Sequence, residues 1–250
     1  MALFAPFSSG SPEARAALAV QAAAHAFPRL SELLTQLSGV SPAPPIPATA
    51  FCVSTASRAA AESLRMLFDR HGSDKSSAHN YHLIYGRVLG ELTTITKILE
   101  IGMGSTNQDI VSNMGGFGRP GASLRAFRDF AGSATIYGAD IDRAILFEEE
   151  RIKTFFVDQT APATLEELGE HVGDEFDLII DDGLHTVSAN VAVLTFAIPR
   201  VRVGGWVVIE DIAPAACSAW QVLARLMPSR FACQLLEAQG GLVFVAQRMQ

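Results

Sequence analysis

Cysteine is scarce and scattered: Cys52, Cys217 and Cys233 are the three in 250 residues, odd in number and without a CxxC pair. No disulfide framework can be drawn from them, so a reduced, cytoplasmic setting is the expectation. Long basic runs are missing too, and the net charge is −7, which argues against nucleic acid or an anionic membrane as the main partner. No segment approaches the roughly 18 consecutive apolar residues of a membrane span. The opening Met1-Ala-Leu-Phe-Ala-Pro-Phe7 lacks the basic start and sustained apolar stretch of a signal peptide. What is present is 49% hydrophobic and 18% charged residues, enough for one substantial core and short for two catalytic domains.

Residues 11–38 are rich in alanine and leucine and open with Ser11-Pro12-Glu13, a good helix start. Leu18, Ala22, Ala26 and Leu30 recur at helical spacing, and Pro28 predicts a break into two helices. Ser41 to Pro47 reads as an extended, proline-rich linker, within 41–48. A further helix is expected over 57–70, with Ala60, Leu64, Leu67 and Phe68 on one face. These features divide the chain into an N-terminal helical cap, 1–71, and a main domain, 72–250. No chemical motif precedes His71, which favours a cap or a surface for homo-oligomer formation over a substrate lid.

The texture then turns polar through His71-Gly-Ser-Asp-Lys75, His79, Asn80 and Tyr81. Such a stretch can hold the charged end of a small ligand, or it can be a solvated helix start capped by Ser76 or Ser77. The residues alone leave both open.

From Lys97 onward strands alternate with helices. Strands are expected at 97–102, 134–140, 153–157, 176–180 and 205–209, then a closing pair at 231–236 and 242–247 joined by Gly240-Gly241. Continuous apolar strands separated by helices predict a parallel sheet covered on both faces. The closing pair is joined too tightly for a parallel crossover and should be antiparallel. The expected fold is α/β: a doubly wound, Rossmann-like sheet of seven strands, its last strand antiparallel and at the end of the sheet, with added N-terminal helices.

The chemistry gathers at strand ends. Glu100, Gly102 and Gly104 make an E-x-G-x-G step out of the first strand, and glycines there allow a tight turn and close approach to a ligand. Asp140 and Asp142, Asp158 and Gln159, Asp181 and Asp182, and Glu210 and Asp211 end later strands. In doubly wound sheets ligands sit beyond these carboxyl ends. Asp140 is placed to bind a ribose, and Asp158 and Gln159 an adenine edge, so an adenosine is a reasonable guest. NAD is one candidate, but its G-x-G-x-x-G fingerprint would need glycine where Asn107 stands, and Glu100 is unhelpful to a pyrophosphate. An acid beside the turn suits the ammonium and sulfonium of S-adenosylmethionine.

Glu100-x-Gly102-x-Gly104, Gly138-Ala-Asp140, Phe176-Asp-Leu-Ile-Ile-Asp-Asp-Gly183 and Gly204-Gly205 resemble class I S-adenosylmethionine-dependent methyltransferases. More narrowly, Gly72-Ser-Asp-Lys75, Gly115-Gly116, Ser123-Leu124, Asp158-Gln159, Asp182-Gly-Leu-His185 and Ile209-Glu-Asp211 resemble the metal-dependent macrolide-sugar O-methyltransferases of the mycinamicin type. The resemblance spans about 72–211 and departs at Leu184, where that family usually has serine. It implies Lys75, Glu100, Gly102, Gly104, Ser123, Asp140, Asp142, Asp158, Gln159 and Asp182 at the donor, and Mg²⁺ held by Asp182, Glu210 and Asp211. His185 would be the general base toward a hydroxyl of a sugar, glycoside, polyol or related natural product. Any one strand-end acid alone is better read as a helix cap; three at adjacent strand ends favour a hard cation with oxygen ligands. His25 and His171 have no such context and read as surface or packing residues. An NAD-dependent oxidoreductase and a non-catalytic adenosine-binding scaffold are the alternatives.

Overall fold

Apolar strands, most of them alternating with helices, build one mixed sheet in the computed structural model, which describes residues 11–250. The first ten residues of the expected cap lie outside that range. The helices are α1 (Pro12–Ser38), α2 (Ala48–Phe51), α3 (Thr55–His71), α4 (Tyr81–Gly90), α5 (Ala122–Phe130), α6 (Pro162–Val172), α7 (Val187–Arg200) and α8 (Cys217–Leu226). The strands are β1 (Ile46–Pro47), β2 (Lys97–Ile101), β3 (Thr135–Asp140), β4 (Glu148–Glu149), β5 (Ile152–Phe156), β6 (Phe176–Asp181), β7 (Val201–Ile212), β8 (Phe231–Ala238) and β9 (Gly241–Arg248).

Their order across the sheet is β1-β8-β9-β7-β6-β2-β3-β5-β4. The chain runs from β2 outward through β3 to β5, then crosses back to β6 and outward through β7. Strand order therefore reverses beside β2, and the crevice there is where a doubly wound sheet takes its ligand. The described residues form nine strands where seven were expected. The two extra strands, β1 and β4, are two-residue pieces at the edges, too short to carry a periodic signal. Pro47, which cannot donate to a ladder, is tolerated in β1 because that strand is an edge. The last strand is antiparallel, but β9 lies inside the sheet, paired to β7 on one side and β8 on the other, not at its end. Val243, Phe244 and Val245 are buried on both of its faces, which an edge strand could not achieve.

Side-chain alternation sends each strand's apolar residues to two cores. Ile98, Leu178, Ile180, Trp206 and Val208 face α3, α4 and α5, meeting Leu64, Phe68, Tyr85 and Phe127. Leu99, Ile101, Ile179, Val207 and Ile209 face the other way, toward Leu165, Val193, Ala197 and Trp220. Each such fully buried side chain contributes about 1.5–3 kcal/mol. The boundary expected at 71/72 falls within this packing, since Leu64 and Phe68 of α3 belong to the first core.

α1 is one helix, not two. Ser11 caps its start and Gly39, in a left-handed conformation, its end. Pro28 removes one backbone donor, but the turn it would have bonded is exposed and water can satisfy the freed carbonyl. The end of α1 is tied to α8 by Arg225, which donates to Ser38 Oγ at 2.9 Å and to the Val40 carbonyl. Leu18, Val20, Leu33 and Leu37 on α1 are exposed. No helix among the described residues is long and apolar enough to cross a membrane.

α3 and α4 touch backbone to backbone. A Cβ on Gly86 would sit 2.5 Å from Ala61 Cβ and 2.6 Å from the Ser57 carbonyl oxygen. Gly86→Ala gains about 1 kcal/mol of helix propensity, yet it forces two helices apart, which costs roughly 1–3 kcal/mol or more. A net loss is expected, read as a Tm several degrees below that of the parent in thermal denaturation.

Candidate active site at the switch point

The turn after β2 is fixed by sterics. Gly102 and Gly104 have φ of +93° and +80°, and a Cβ on Gly102 would lie 2.0 Å from the Asp182 carbonyl oxygen. The same test on Gly104 gives 2.0 Å to Met114 Sδ, so the loop between β2 and α5 folds back onto the turn. Only glycine fits either position. Above the turn opens a cleft of about 400 Å³, within the range of small-molecule sites. Its wall carries Asp74, Asp109, Asp140, Asp158, Asp182 and Asp211, with His185 and an apolar lip of Ile110, Val111, Met114, Ile141 and Leu184. No lysine or arginine is among the described lining residues.

The strand-end acids divide by alternation. Register aligns Ile101 with Asp181 and Asp181 with Ile209, so Glu100, Asp182 and Glu210 fall on one face of three neighbouring strands. That face also carries Ile98, Ile180 and Val208, and it looks into the core under α3 and α4. Glu100 and Glu210 are consequently buried. Ser123 Oγ donates to Glu100, and Tyr85 OH donates to Glu210. Lys75, held between α3 and α4, reaches all three acids: Nζ lies 2.7 Å from Asp182 Oδ2, 3.2 Å from Glu100 Oε1, and in contact with Glu210 Oε2. Burial pushes both glutamates above the usual carboxylate range, the Lys75 ammonium pulling against it. Burial alone would lower Lys75; the charges of Asp182, Glu210 and Glu100 outweigh it and hold the ammonium well above its ordinary value.

Of the three acids expected at a metal, two reach the cleft. Asp182 and Asp211 line it, while both Glu210 oxygens are engaged by Lys75 and Tyr85. The group that does converge is Asp182, His185 and Asp211, with one ligand atom from each within 4.8 Å of the others. His185 Nε2 is 3.9 Å from Asp211 Oδ2, and its Nδ1 is buried with no partner among the described residues. His185 and Asp211 both have positive φ, +56° and +52°, a strained backbone state of the kind that gathers at functional sites. Tyr81 OH donates to Asp211 Oδ1, and the His79 ring stacks on Tyr81 with centroids 4.7 Å apart. Burial and the Glu210 and Asp211 charges keep the Tyr81 phenol protonated by raising its pKa.

The donor-side residues are likewise split between wall and support. Asp140 lines the cleft and accepts from the Met103 and Asp142 backbone amides at 2.7 and 2.9 Å. Asp142 sits behind it, bonded to Ser105 Oγ and the Ala144 amide. One oxygen of Asp158 takes the Thr160 amide and hydroxyl. Gln159 lines the cleft, and each end of its amide already makes one bond. Nε2 donates to Asp181 Oδ1 at 2.6 Å, and Oε1 accepts from the Leu184 amide at 2.7 Å. Lys75, Glu100 and Ser123 stand behind the glycine turn, outside the cleft lining.

Three contributors escaped the sequence reading. They are Tyr85 of α4, Asn190 of α7 and Met114 in the loop between β2 and α5. The parity of Glu100, Asp182 and Glu210 on one apolar face was the available signal for Tyr85. Asn190 pairs with Asp181 Oδ2 at 2.8 Å, and burial pushes that carboxyl up to about 6. Asp181, Gln159 and Asn190 thus strap down the turn that carries Asp182 and His185. Gln159→Leu would strand the Leu184 amide and Asp181 Oδ1, at a cost of about 1–3 kcal/mol. The expected result in denaturant titration is a loss of that size, with faster amide hydrogen exchange confined to Leu184 and His185; unchanged exchange there would remove the strap.

No protein-family model matches the chain. A curated relative, 8-demethyl-8-alpha-L-rhamnosyl tetracenomycin-C 2'-O-methyltransferase of Streptomyces olivaceus, is 30% identical over 181 residues, covering 72% of this chain and 46% of the relative. Demethylmacrocin O-methyltransferase of Streptomyces fradiae is 39% identical over 120 residues, covering 46% of this chain and 27% of the relative. The chain thus spans less than half the length of the curated relatives it matches. Among solved structures, the MycE methyltransferase of the mycinamycin biosynthetic pathway, in complex with Mg and SAH, superposes with a TM-score of 0.60 at 26% identity, covering 74% of this chain and 54% of that one. The chain therefore has the fold of class I S-adenosylmethionine-dependent methyltransferases and, across its sheet and cleft, resembles the sugar O-methyltransferases of macrolide and tetracenomycin pathways.

Proposed function

We propose that this chain moves a methyl group from S-adenosylmethionine to a hydroxyl of a sugar, glycoside or related natural product, assisted by Mg²⁺. The observation that carries this reading is the charge of the cleft: six aspartates and no lysine or arginine among its described lining. A pyrophosphate would meet those carboxylates at a cost of roughly 2 kcal/mol per charge pair at 8 Å and an effective dielectric of 20. That weighs against NAD, as does Asn107 in place of a third glycine. A sulfonium, an ammonium and a divalent cation are each attracted by the same field. A non-catalytic adenosine-binding scaffold would not need His185 strained into the cleft beside Asp182 and Asp211.

In this reading the donor lies over the Gly102–Gly104 turn, its ribose at Asp140 and its adenine beside Asp158. Gln159, Asp142 and Ser123 shape the wall from behind, and Glu100 contributes through its field. S-adenosylmethionine supplies the electrophilic methyl. The donor set suits a hard cation, since Asp182 and Asp211 offer hard oxygen atoms close together. Asp182 and Asp211 would hold Mg²⁺, with Glu210 joining only if Lys75 and Tyr85 release it, and the ion would supply Lewis acidity toward the acceptor oxygen. His185 takes the hydroxyl proton at Nε2, and Asp211, 3.9 Å away, stabilises the imidazolium. The acceptor oxygen then bonds to the methyl carbon as the carbon–sulfur bond breaks and S-adenosylhomocysteine leaves. The apolar lip of Ile110, Val111, Met114 and Leu184 supports an acceptor with an apolar body. The three free cysteines support a cytoplasmic setting, and the exposed leucines of α1 support self-association there.

Calorimetry with S-adenosylmethionine and, separately, NAD is expected to show binding of the methyl donor alone; tight NAD binding without a response to the donor would sink the reading. A methyl-transfer screen against glycosides, catechols and polyols should find turnover that EDTA abolishes and Mg²⁺ restores. His185→Ala should lose about 10²–10⁴-fold in kcat with donor affinity unchanged. Clustering with Asp182 and Asp211 also allows His185 to be a metal ligand. Mn²⁺ affinity that survives His185→Ala assigns it as base, whereas a parallel loss of metal affinity assigns it as ligand.

A further inference from the structure

Lys75 is a buried charge that the proposed chemistry leaves without a task. It is 2% exposed and lies outside the cleft lining, so it does not touch a ligand there. Its ammonium has three N–H donors and three carboxylate neighbours, Glu100, Asp182 and Glu210. Each neighbour comes from a different strand end, and each belongs to a different part of the site. Glu100 stands under the donor turn, Asp182 faces the cleft, and Glu210 precedes Asp211. The segment that holds Lys75 is pinned at both ends. Gly72 closes α3 in a left-handed conformation, and the Lys75 carbonyl accepts from the Tyr81 and His82 amides at the start of α4. None of the three acids has another charged partner among the described residues within ion-pair distance.

We propose that Lys75 is a positioning residue whose buried ammonium ties Glu100, Asp182 and Glu210 together and sets how strongly the cleft attracts a divalent cation. The inference rests on the metal-assisted reading of the site and adds to it the residue that tunes it. With all three acids ionised, the cluster carries two net negative charges. Without the ammonium it carries three, and Asp182, which lines the cleft, keeps no charged partner. The direction is opposite to that of an ordinary structural lysine, whose loss loosens a site and weakens what it binds. Arginine is no substitute, because its planar fork is not the compact point charge with three rotatable donors that meets three carboxylates here.

Mn²⁺ binding without donor, followed by electron paramagnetic resonance of the free ion, reads this directly. Lys75→Met is expected to bind Mn²⁺ at least about tenfold tighter than wild type, a change equivalent to one modest charge interaction. Lys75→Met with Glu210→Gln removes one cation and one anion, keeps two net negative charges and protects the fold if the single variant does not survive. It should bind at least about tenfold tighter than Glu210→Gln alone, whose cluster carries a single net negative charge. Calorimetry with S-adenosylhomocysteine should show weaker donor-site binding in Lys75→Met, since Glu100 loses the contact that orients it. Folded Lys75 variants that bind Mn²⁺ as wild type and Glu210→Gln do, or more weakly in step with a lower Tm, overturn the inference and leave a structural role. Wild-type protein that binds no Mn²⁺ overturns the metal-assisted function itself, and this inference with it.

Discussion

Three carboxylates on one buried face need a cation, and the rest of the structure is arranged to supply it. Glu100, Asp182 and Glu210 share the side of β2, β6 and β7 that otherwise packs apolar residues beneath α3 and α4. Leaving such charges unpaired would cost several kcal/mol per ion even after relaxation. Lys75 answers this from the link between α3 and α4, so the helices ahead of the sheet are part of the site's electrostatics. The tight Gly86 contact between those helices and the tyrosine pair Tyr81 and Tyr85 at the head of α4 serve the same end. They fix the distance between the ammonium and the strands.

Alternation also explains why neighbouring acids do different work. Asp181 and Asp182 are adjacent, yet Asp181 is wholly buried on the far side and anchored by Gln159 and Asn190. Asp182, turned the other way, sees both Lys75 and the cleft. Glu210 and Asp211 split in the same manner, Glu210 inward to Tyr85 and Asp211 into the cleft with Tyr81. The positive φ values at His185 and Asp211 bring both side chains over the strand ends. A regular extended backbone would send at least one of them elsewhere. Strain at these two residues is therefore part of the assembly, held in place by the strap beneath it.

The sheet was legible because parallel strands buried on both faces read as continuous apolar runs, and the acids that end them stand out. Helix bounds were legible where caps or glycines mark them, as at Ser11 and Gly72. What escaped was whatever depends on partners distant in sequence. Gln159 read as an adenine contact from its place at a strand end; its bonds to Asp181 and Leu184 appear only when β5 and β6 are placed. Glu210 read as a third metal acid from its place at a strand end and from the family resemblance; alternation through Trp206 and Val208 turns it inward, to Tyr85 and Lys75. Lys75 read as a ligand contact, since nothing local reveals that three strands converge on it. β9 read as an edge strand because its hairpin with β8 is local while its pairing with β7 is not. Pro28 read as a break because an exposed helix can carry one lost bond that a buried one could not.

Charge also narrows what the glycine turn leaves open. A turn of the Gly102–Gly104 kind is compatible with any nucleotide, because it provides room and nothing more. The selective element is the carboxylate lining, which would repel a pyrophosphate by several kcal/mol in sum and attract a sulfonium or a metal by the same amount. Burying Lys75 behind the wall leaves that field negative while preventing the three inner acids from destabilising the fold. A basic residue in the cleft itself would have neutralised the wall and drawn an anionic cofactor instead. With its single ammonium behind the turn and not in front of it, the cleft keeps an acidic wall, which favours a cationic ligand over an anionic one.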